Sequence, residues 1–337
     1  MPAGYFFLSS PAVETTVSKR DFISIDNFTP AELKDTVRLA AWLKKARKTP
    51  LEIRPLVGRS MAMIFEKPSL RTRVTFELAM VELGGHALEI QSTGVKLGER
   101  ESVPDVGRNL ERWVDLVTAR VYRNDTVRML SESMSVPVIN ALCNVEHPCQ
   151  AVADLLTVEE LSRKKFPRVS LAYVGDGNNV CHSLMLICCA LGVDLRVSTP
   201  QGYEPDEKFV IRSEELARDS GARLRLFNDP VKAVKGAGFV YTDVWASMGQ
   251  ENESEARRAV FIDHQVNSRL LAHASGDCYV LHCLPAHRGE EITDEVIDGP
   301  RARVFDQAEN RLHAQKAVIL KLLAPDIAEQ LISMEIV

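Results

Sequence analysis

The sequence predicts an α/β protein, built as two doubly wound parallel-sheet domains of similar size joined by interdomain helices. Three observations carry this. Short apolar runs alternate with helical patterns along most of the chain, which implies parallel strands with helices on both faces. The runs fall into two sets, separated by one long helical pattern from Pro148 to about Lys164. At 337 residues, each half can bury a core of its own.

The elements follow in order. Thr29, Pro30 and Glu32 supply a cap, a first-turn proline and a capping-box acid ahead of the helical run "LKDTVRLAAWLKK". The first strand set is expected at 60–65, 86–90, 116–121 and 136–140. The second set is expected at 169–174, 193–198, 222–227, 238–243 and 278–283. Helical periodicity fills most of the gaps, as in "VGRNLERWV", "CHSLMLICCALG" and "EELARDSG". The last strong helix, "ENRLHAQKAVILKLLA", is expected to cross back to the first domain. The domains are therefore drawn as 1–150, completed by a C-terminal helix at 312–337, and 151–311.

Bulk properties narrow the class. A net charge of −5 argues against broad binding to nucleic acid or an anionic membrane. No apolar run is long enough to span a bilayer. The first residues lack a basic start and a long apolar centre, so they read as a loose extension rather than a secretory signal. Seven scattered cysteines, none at metal-knuckle spacing, read as small apolar core residues of a reduced, cytoplasmic chain.

Ligands of such sheets bind beyond the carboxyl ends of the strands. The stretch "KPSLRTR", residues 67–73, lies at such an end and gathers three cations and two hydroxyls. A helix starting near Ser69 to Thr72 offers free backbone N–H groups to an anion. Ser69 and Thr72 add hydroxyls, and Arg71 and Arg73 add planar forks suited to phosphate oxygens. Composition alone also fits a capped helix with solvated basic residues. Farther on, His147 and Gln150 stand three apart at a helix start and share a face.

These segments resemble the aspartate/ornithine carbamoyltransferase family over about Phe22 to Leu323, nearly the whole chain. Its phosphate signature, Ser-Thr-Arg-Thr-Arg, is similar to Ser69-Leu70-Arg71-Thr72-Arg73, with Leu70 replacing a hydroxyl. The resemblance implies that Arg120, His147, Gln150 and Arg311 reach the carbamoyl group of carbamoyl phosphate. Its ornithine-specific members are similar at "HCLPAHRG", which implies that Cys283 and Leu284 also touch this donor. Asp243, Ser247 and Met248 match their ornithine-binding pattern, and the loop "VGDGNNV" carries an asparagine role to Asn179, less securely to Asn178. The family's trimer, or stacked trimers, implies a homo-oligomer in which Lys96 of "STGVKLGERES" reaches a neighbouring subunit's phosphate.

The implied reaction transfers the carbamoyl group to the side-chain amine of L-ornithine, giving L-citrulline and phosphate. Negative charge grows on the carbonyl oxygen as the amine attacks, so donors fixed there favour the transition state. No metal, cofactor or covalent intermediate is expected. An alkylammonium with a pKa near 10.4 must first lose a proton, and Asp243 and Cys283 are the groups suited to that task. The rival readings are transfer to putrescine, an acylated ornithine or aspartate, and a nicotinamide-dependent oxidoreductase. The last needs a glycine that "VGDGNNV" lacks, since Val180 stands at its place.

Overall fold

The computed structural model describes residues 19–91, 97–162, 166, 169–246 and 251–334. The N-terminal extension, Lys96, Ser247 and Met248 lie outside the described residues.

The strands are β1 (Ser60–Phe65), β2 (His86–Gln91), β3 (Leu116–Arg120), β4 (Val138–Leu142), β5 (Ser170–Val174), β6 (Asp194–Ser198), β7 (Leu224–Phe227), β8 (Phe239–Thr242) and β9 (Tyr279–His282). They form two all-parallel sheets with orders β2-β1-β3-β4 and β7-β6-β5-β8-β9. Strand β4 begins two residues later than the apolar run suggests, because Pro137 has no N–H to give to a ladder.

The helices of the first half are α1 (Pro30–Ala46), α2 (Leu70–Glu82), α3 (Val103–Leu110), α4 (Asn124–Ser133) and α5 (Pro148–Leu161). Those of the second half are α6 (Asn179–Leu191), α7 (Glu207–Ser220), α8 (Pro230–Val234), α9 (Ser254–Phe261), α10 (Ser268–Leu271), α11 (Asp294–Ile297), α12 (Val304–Leu323) and α13 (Pro325–Ser333). Thr29 caps α1 with both arms of the capping box in place. Helix α3 starts earlier than its periodicity suggests and stops at Leu110. Ser102 caps it and Pro104 occupies its first turn.

One apolar core runs between the two sheets and joins α1, α2, α5, α6 and α12. Two smaller cores cover the outer faces of the sheets. Helices α5 and α6 are buried around most of their circumference, as expected of helices enclosed by packed layers. Helix α12 packs against α1, α2 and α5. It runs unbroken through Arg311 and Leu312, so the boundary drawn there falls inside a helix. Glu82 at the end of α2 ties the group together: its carboxylate meets Lys316 of α12 at 3.0 Å and Arg47 after α1 at 2.7 Å. Lys316 is almost fully buried, so removing Glu82 would leave an enclosed charge without its partner.

Strand order reverses between β1 and β3 in the first sheet and between β5 and β8 in the second. The loops leaving adjacent strands at a reversal diverge to opposite faces and leave a crevice. Both crevices open into the same cavity.

Candidate active site between the two sheets

A cavity of about 700 Å³ is lined from both halves of the chain. Ser69, Leu70, Arg71, Thr72 and Arg120 line it from the first reversal, and Asn178, Asn179 and Asp243 from the second. His147, Cys283, Leu284 and Arg311 complete the predicted residues on its wall.

The first wall is cationic. Ser69 is the N-cap of α2, yet its hydroxyl makes no capping bond, so no capping side-chain oxygen competes with an anion for the first-turn N–H donors of that helix. Thr72 is buried under two guanidiniums, with Arg120 Nη1 at 3.1 Å and Arg311 Nη2 at 2.6 Å from its Oγ1. A hydroxyl that accepts twice still has its proton to donate. Burial lowers Arg120 to about 10, with Arg311 and Arg71 adding to the effect. Burial likewise lowers Arg71 and Arg311. Three cations in one wall, Arg311 buried and Arg71 and Arg120 partly so, form a strong anion site.

His147 precedes α5 and is almost fully enclosed. Burial, then Arg311 and Arg120, hold its pKa well below the ordinary imidazole value, so the ring is neutral. Its backbone N–H is fixed by Ser183 Oγ at 2.9 Å, while its Nδ1 has no partner.

The opposite wall is acidic. Asn178 caps α6 through Oδ1, which accepts from Val180 and Cys181. That use of its oxygen turns its NH₂ across the reversal onto Asp243 Oδ2, at 2.9 Å. Cys283 follows β9 and donates its thiol to Asp243 Oδ1 at 3.0 Å. Burial, then Asp243, push the Cys283 pKa well above the ordinary thiol value. Cys283 is therefore a neutral thiol rather than a thiolate. Leu284 takes a left-handed φ of 59° and gives its N–H to His282 Nδ1 at 2.9 Å.

Several predicted residues sit differently. Arg73 does not line the cavity; it pairs with Glu89 of β2 at 2.8 Å. Residues two apart on a helix project in opposing directions, so Arg71 and Arg73 cannot both turn inward. Gln150 lies behind the wall. Its NH₂ meets Asp154 at 2.7 Å, and its oxygen accepts from Arg311. Asn179 lines the cavity but gives its NH₂ to the Cys143 carbonyl at 2.7 Å, so Asn178 is the asparagine joined to Asp243.

The sequence reading gave no role to Lys67, Tyr122, Asp176 or Arg257. Lys67 places its ammonium 3.8 Å over the Tyr122 ring on the cationic wall. Arg257 of α9 crosses back to Asp176 at 3.0 Å and to the Trp245 carbonyl at 2.9 Å. Asp176 lies in the inspected loop "VGDGNNV", whereas nothing in "SEARRAVF" separates Arg257 from its exposed neighbour Arg258.

Comparison with known proteins matches both halves of the chain to one family. Residues 20–160 match the family model for the aspartate/ornithine carbamoyltransferase carbamoyl-P binding domain. Residues 168–322 match the model for the Asp/Orn binding domain of the same family. The ornithine carbamoyltransferase of Pyrococcus horikoshii is 51% identical over 304 residues, covering 90% of this chain and 96% of that protein. The solved ornithine carbamoyltransferase of Pyrococcus furiosus superposes with a TM-score of 0.87 at 49% identity, over 91% of this chain and 98% of that one. The anabolic enzyme of Campylobacter jejuni gives 0.86 at 35% identity, over 90% of this chain and 98% of that one.

Proposed function

The chain belongs to the aspartate/ornithine carbamoyltransferase family, and on that premise we propose that it carbamoylates L-ornithine, forming L-citrulline and phosphate from carbamoyl phosphate. One observation carries the reading: a single cavity joins a wall of three guanidiniums, Arg311 buried and Arg71 and Arg120 partly so, to a wall built on Asp243. The first suits a phosphorylated acyl donor and the second a cationic amine.

The roles follow from the chemistry of each group. The α2 N-terminus, Ser69 and Arg71 bind the phosphate. Thr72, Arg120, His147 and Arg311 surround the carbonyl, where a neutral imidazole and guanidiniums stabilise the growing oxyanion. Asp243 draws in the ammonium and accepts its proton. The neutral amine then forms the new C–N bond, the C–O bond to phosphate breaks, and the second amine proton passes to the departing phosphate, which leaves as HPO4 2− held by the cationic wall. The Cys283 thiol stays protonated and orients Asp243 through its hydrogen bond. Asn178 does the same from the other side, and Ser247 and Met248 are assigned to the amino-acid end of ornithine.

In this reading the first half, completed by the C-terminal helix, holds the donor, and the second half holds ornithine. We further propose a homo-oligomer of trimers' symmetry. The outer face of α2 exposes Val74, Leu78 and Val81 at helical spacing, with Leu88 of β2 also exposed, a stripe suited to a partner copy. Among the described residues no helix is long and apolar enough to cross a membrane, and their seven cysteines are all free, which suits a cytoplasmic setting.

One assay tests the activity. Carbamoyl phosphate is supplied with ornithine, putrescine, acetylornithine or aspartate in turn, and the ureido product is followed. Ornithine is expected to be preferred at least a hundredfold in kcat/KM. Equal use of another amine would remove the ornithine assignment.

A further inference from the structure

A buried carboxylate lies behind the cationic wall, outside the roles above. Asp154 is one turn past Gln150 on α5 and is fully shielded from solvent. It takes three hydrogen bonds from three elements. Its Oδ1 accepts from Gln150 Nε2 at 2.7 Å and from Gln307 Nε2 of α12 at 2.6 Å. Its Oδ2 accepts from the Tyr241 hydroxyl of β8 at 3.1 Å.

An amide side chain is nearly symmetric in shape, so its neighbours decide which end carries the donors. Burial raises the Asp154 pKa to about 7, while its three hydrogen-bond donors and Arg311 favour the ionised form, whose oxygens offer only lone pairs. Both glutamines therefore turn their NH₂ groups to Asp154 and their oxygens away from it. The Gln150 oxygen then accepts from Arg311 Nη1, while Arg311 Nη2 reaches Thr72. The Gln307 oxygen accepts the backbone N–H of His282 at 2.8 Å, the last residue of β9 before Cys283.

We propose that Asp154 is a positioning residue: it sets the polarity of two glutamines and through them aligns Arg311 at the donor end with the Cys283 strand end at the amine end. The inference rests on the transfer reaction proposed above. Reversing Gln150 would set its NH₂ against a guanidinium, and reversing Gln307 would set its NH₂ against a backbone N–H. Donor would face donor in both cases, with no water to compensate. The groups misplaced are those that act on charge in the transition state, so the loss falls on kcat.

The test measures kcat and KM for wild type, Asp154→Leu, Asp154→Asn, Gln307→Leu and Thr157→Val, with a thermal unfolding curve for each. Asparagine keeps an oxygen at the Oδ1 position, where both glutamines bond, and Tyr241 can turn to accept from its NH₂. Asp154→Asn is therefore expected to hold kcat within about fivefold. Asp154→Leu removes the acceptor and is expected to lower kcat at least about thirtyfold, with KM for ornithine within about threefold. Thr157→Val cuts a buried hydrogen bond from Asn310 in the same α5–α12 contact, 3.0 Å long, and is expected to lower stability without touching kcat. Gln307→Leu, which severs one arm only, is expected to lower kcat about tenfold and decides the matter if Asp154→Leu does not fold.

A folded Asp154→Leu with wild-type kcat overturns the inference. So does an asparagine variant as inactive as the leucine one, because charge rather than polarity would then be at work. Wild-type kcat in Gln307→Leu overturns it where the leucine variant fails to fold. A wild type that makes no ureido product sinks the transfer reading and this inference with it, whereas an active wild type alongside an unaffected Asp154→Leu sinks this inference alone.

Discussion

Replacing Arg71 with alanine removes a half-buried guanidinium from the start of α2, on a wall it shares with Arg120 and Arg311. No carboxylate pairs with Arg71 among the described residues, and burial already lowers its pKa. It also depresses both neighbours: Arg71 is a cause of the lowered pKa of Arg120 and of Arg311. The ligand-free protein therefore bears a repulsion that an anion relieves. A hydrogen bond to a charged group contributes about 1.5–3 kcal/mol, so losing one weakens carbamoyl phosphate and phosphate binding about ten- to hundredfold. The same substitution should leave the ligand-free melting temperature unchanged within about 2 °C, or raise it, since a like charge is gone. Calorimetric titration with phosphate and with carbamoyl phosphate, paired with thermal unfolding, reads both quantities. Unchanged affinity would show that Arg71 does not hold the phosphate. A large fall in ligand-free stability would show that the guanidinium supports the fold instead of a ligand.

Three further outcomes are expected. Leu70→Thr restores a hydroxyl at the first turn of α2, where the leucine side chain is 74% exposed; it should tighten carbamoyl phosphate binding about two- to tenfold by equilibrium titration, and a weaker complex would mean that Leu70 is itself a contact. Asp243→Asn should spare carbamoyl phosphate affinity while lowering turnover with ornithine at least about a hundredfold, and loss of the first binding step would undo the division of labour between the walls. Burial, helped by Lys316, Lys44 and Arg47, lowers His313 to about 3, so its contribution is complete above the unfolded value near 6.5 and is lost as pH falls from there toward 3. Denaturant unfolding at pH 7 and pH 5 should therefore show a wild-type penalty of about 2 kcal/mol that His313→Leu lacks, and parallel curves for the two proteins would discard the assignment.

The strand ends were legible because two periodicities decide them. Runs such as "SMAMIF" and "FVYT" are buried on both sides and carry no polar alternation, as parallel strands enclosed by helices require. Each is followed within a few residues by the polar groups that line the cavity, so the place of "KPSLRTR" at a strand end is legible in the sequence. The inward choice between Arg71 and Arg73 was partly legible too, since their spacing sets them on opposing faces of α2. Which of the two turned inward depended on Glu89, a residue of another strand.

The sequence alone determined the alternation of elements, the two strand sets and the local chemistry after each strand, because these depend on contacts within a few residues. The tertiary structure decided which asparagine meets Asp243, that Gln150 faces Asp154 and Arg311, that Cys283 stays a thiol, and that Arg257 belongs to the wall. Those outcomes turn on partners 65, 161, 40 and 81 positions away in the chain for the bonds of Asn178, Gln150, Cys283 and Arg257. Hydrogen-bond polarity and desolvation are properties of the assembled neighbourhood, and no local pattern of residues encodes them.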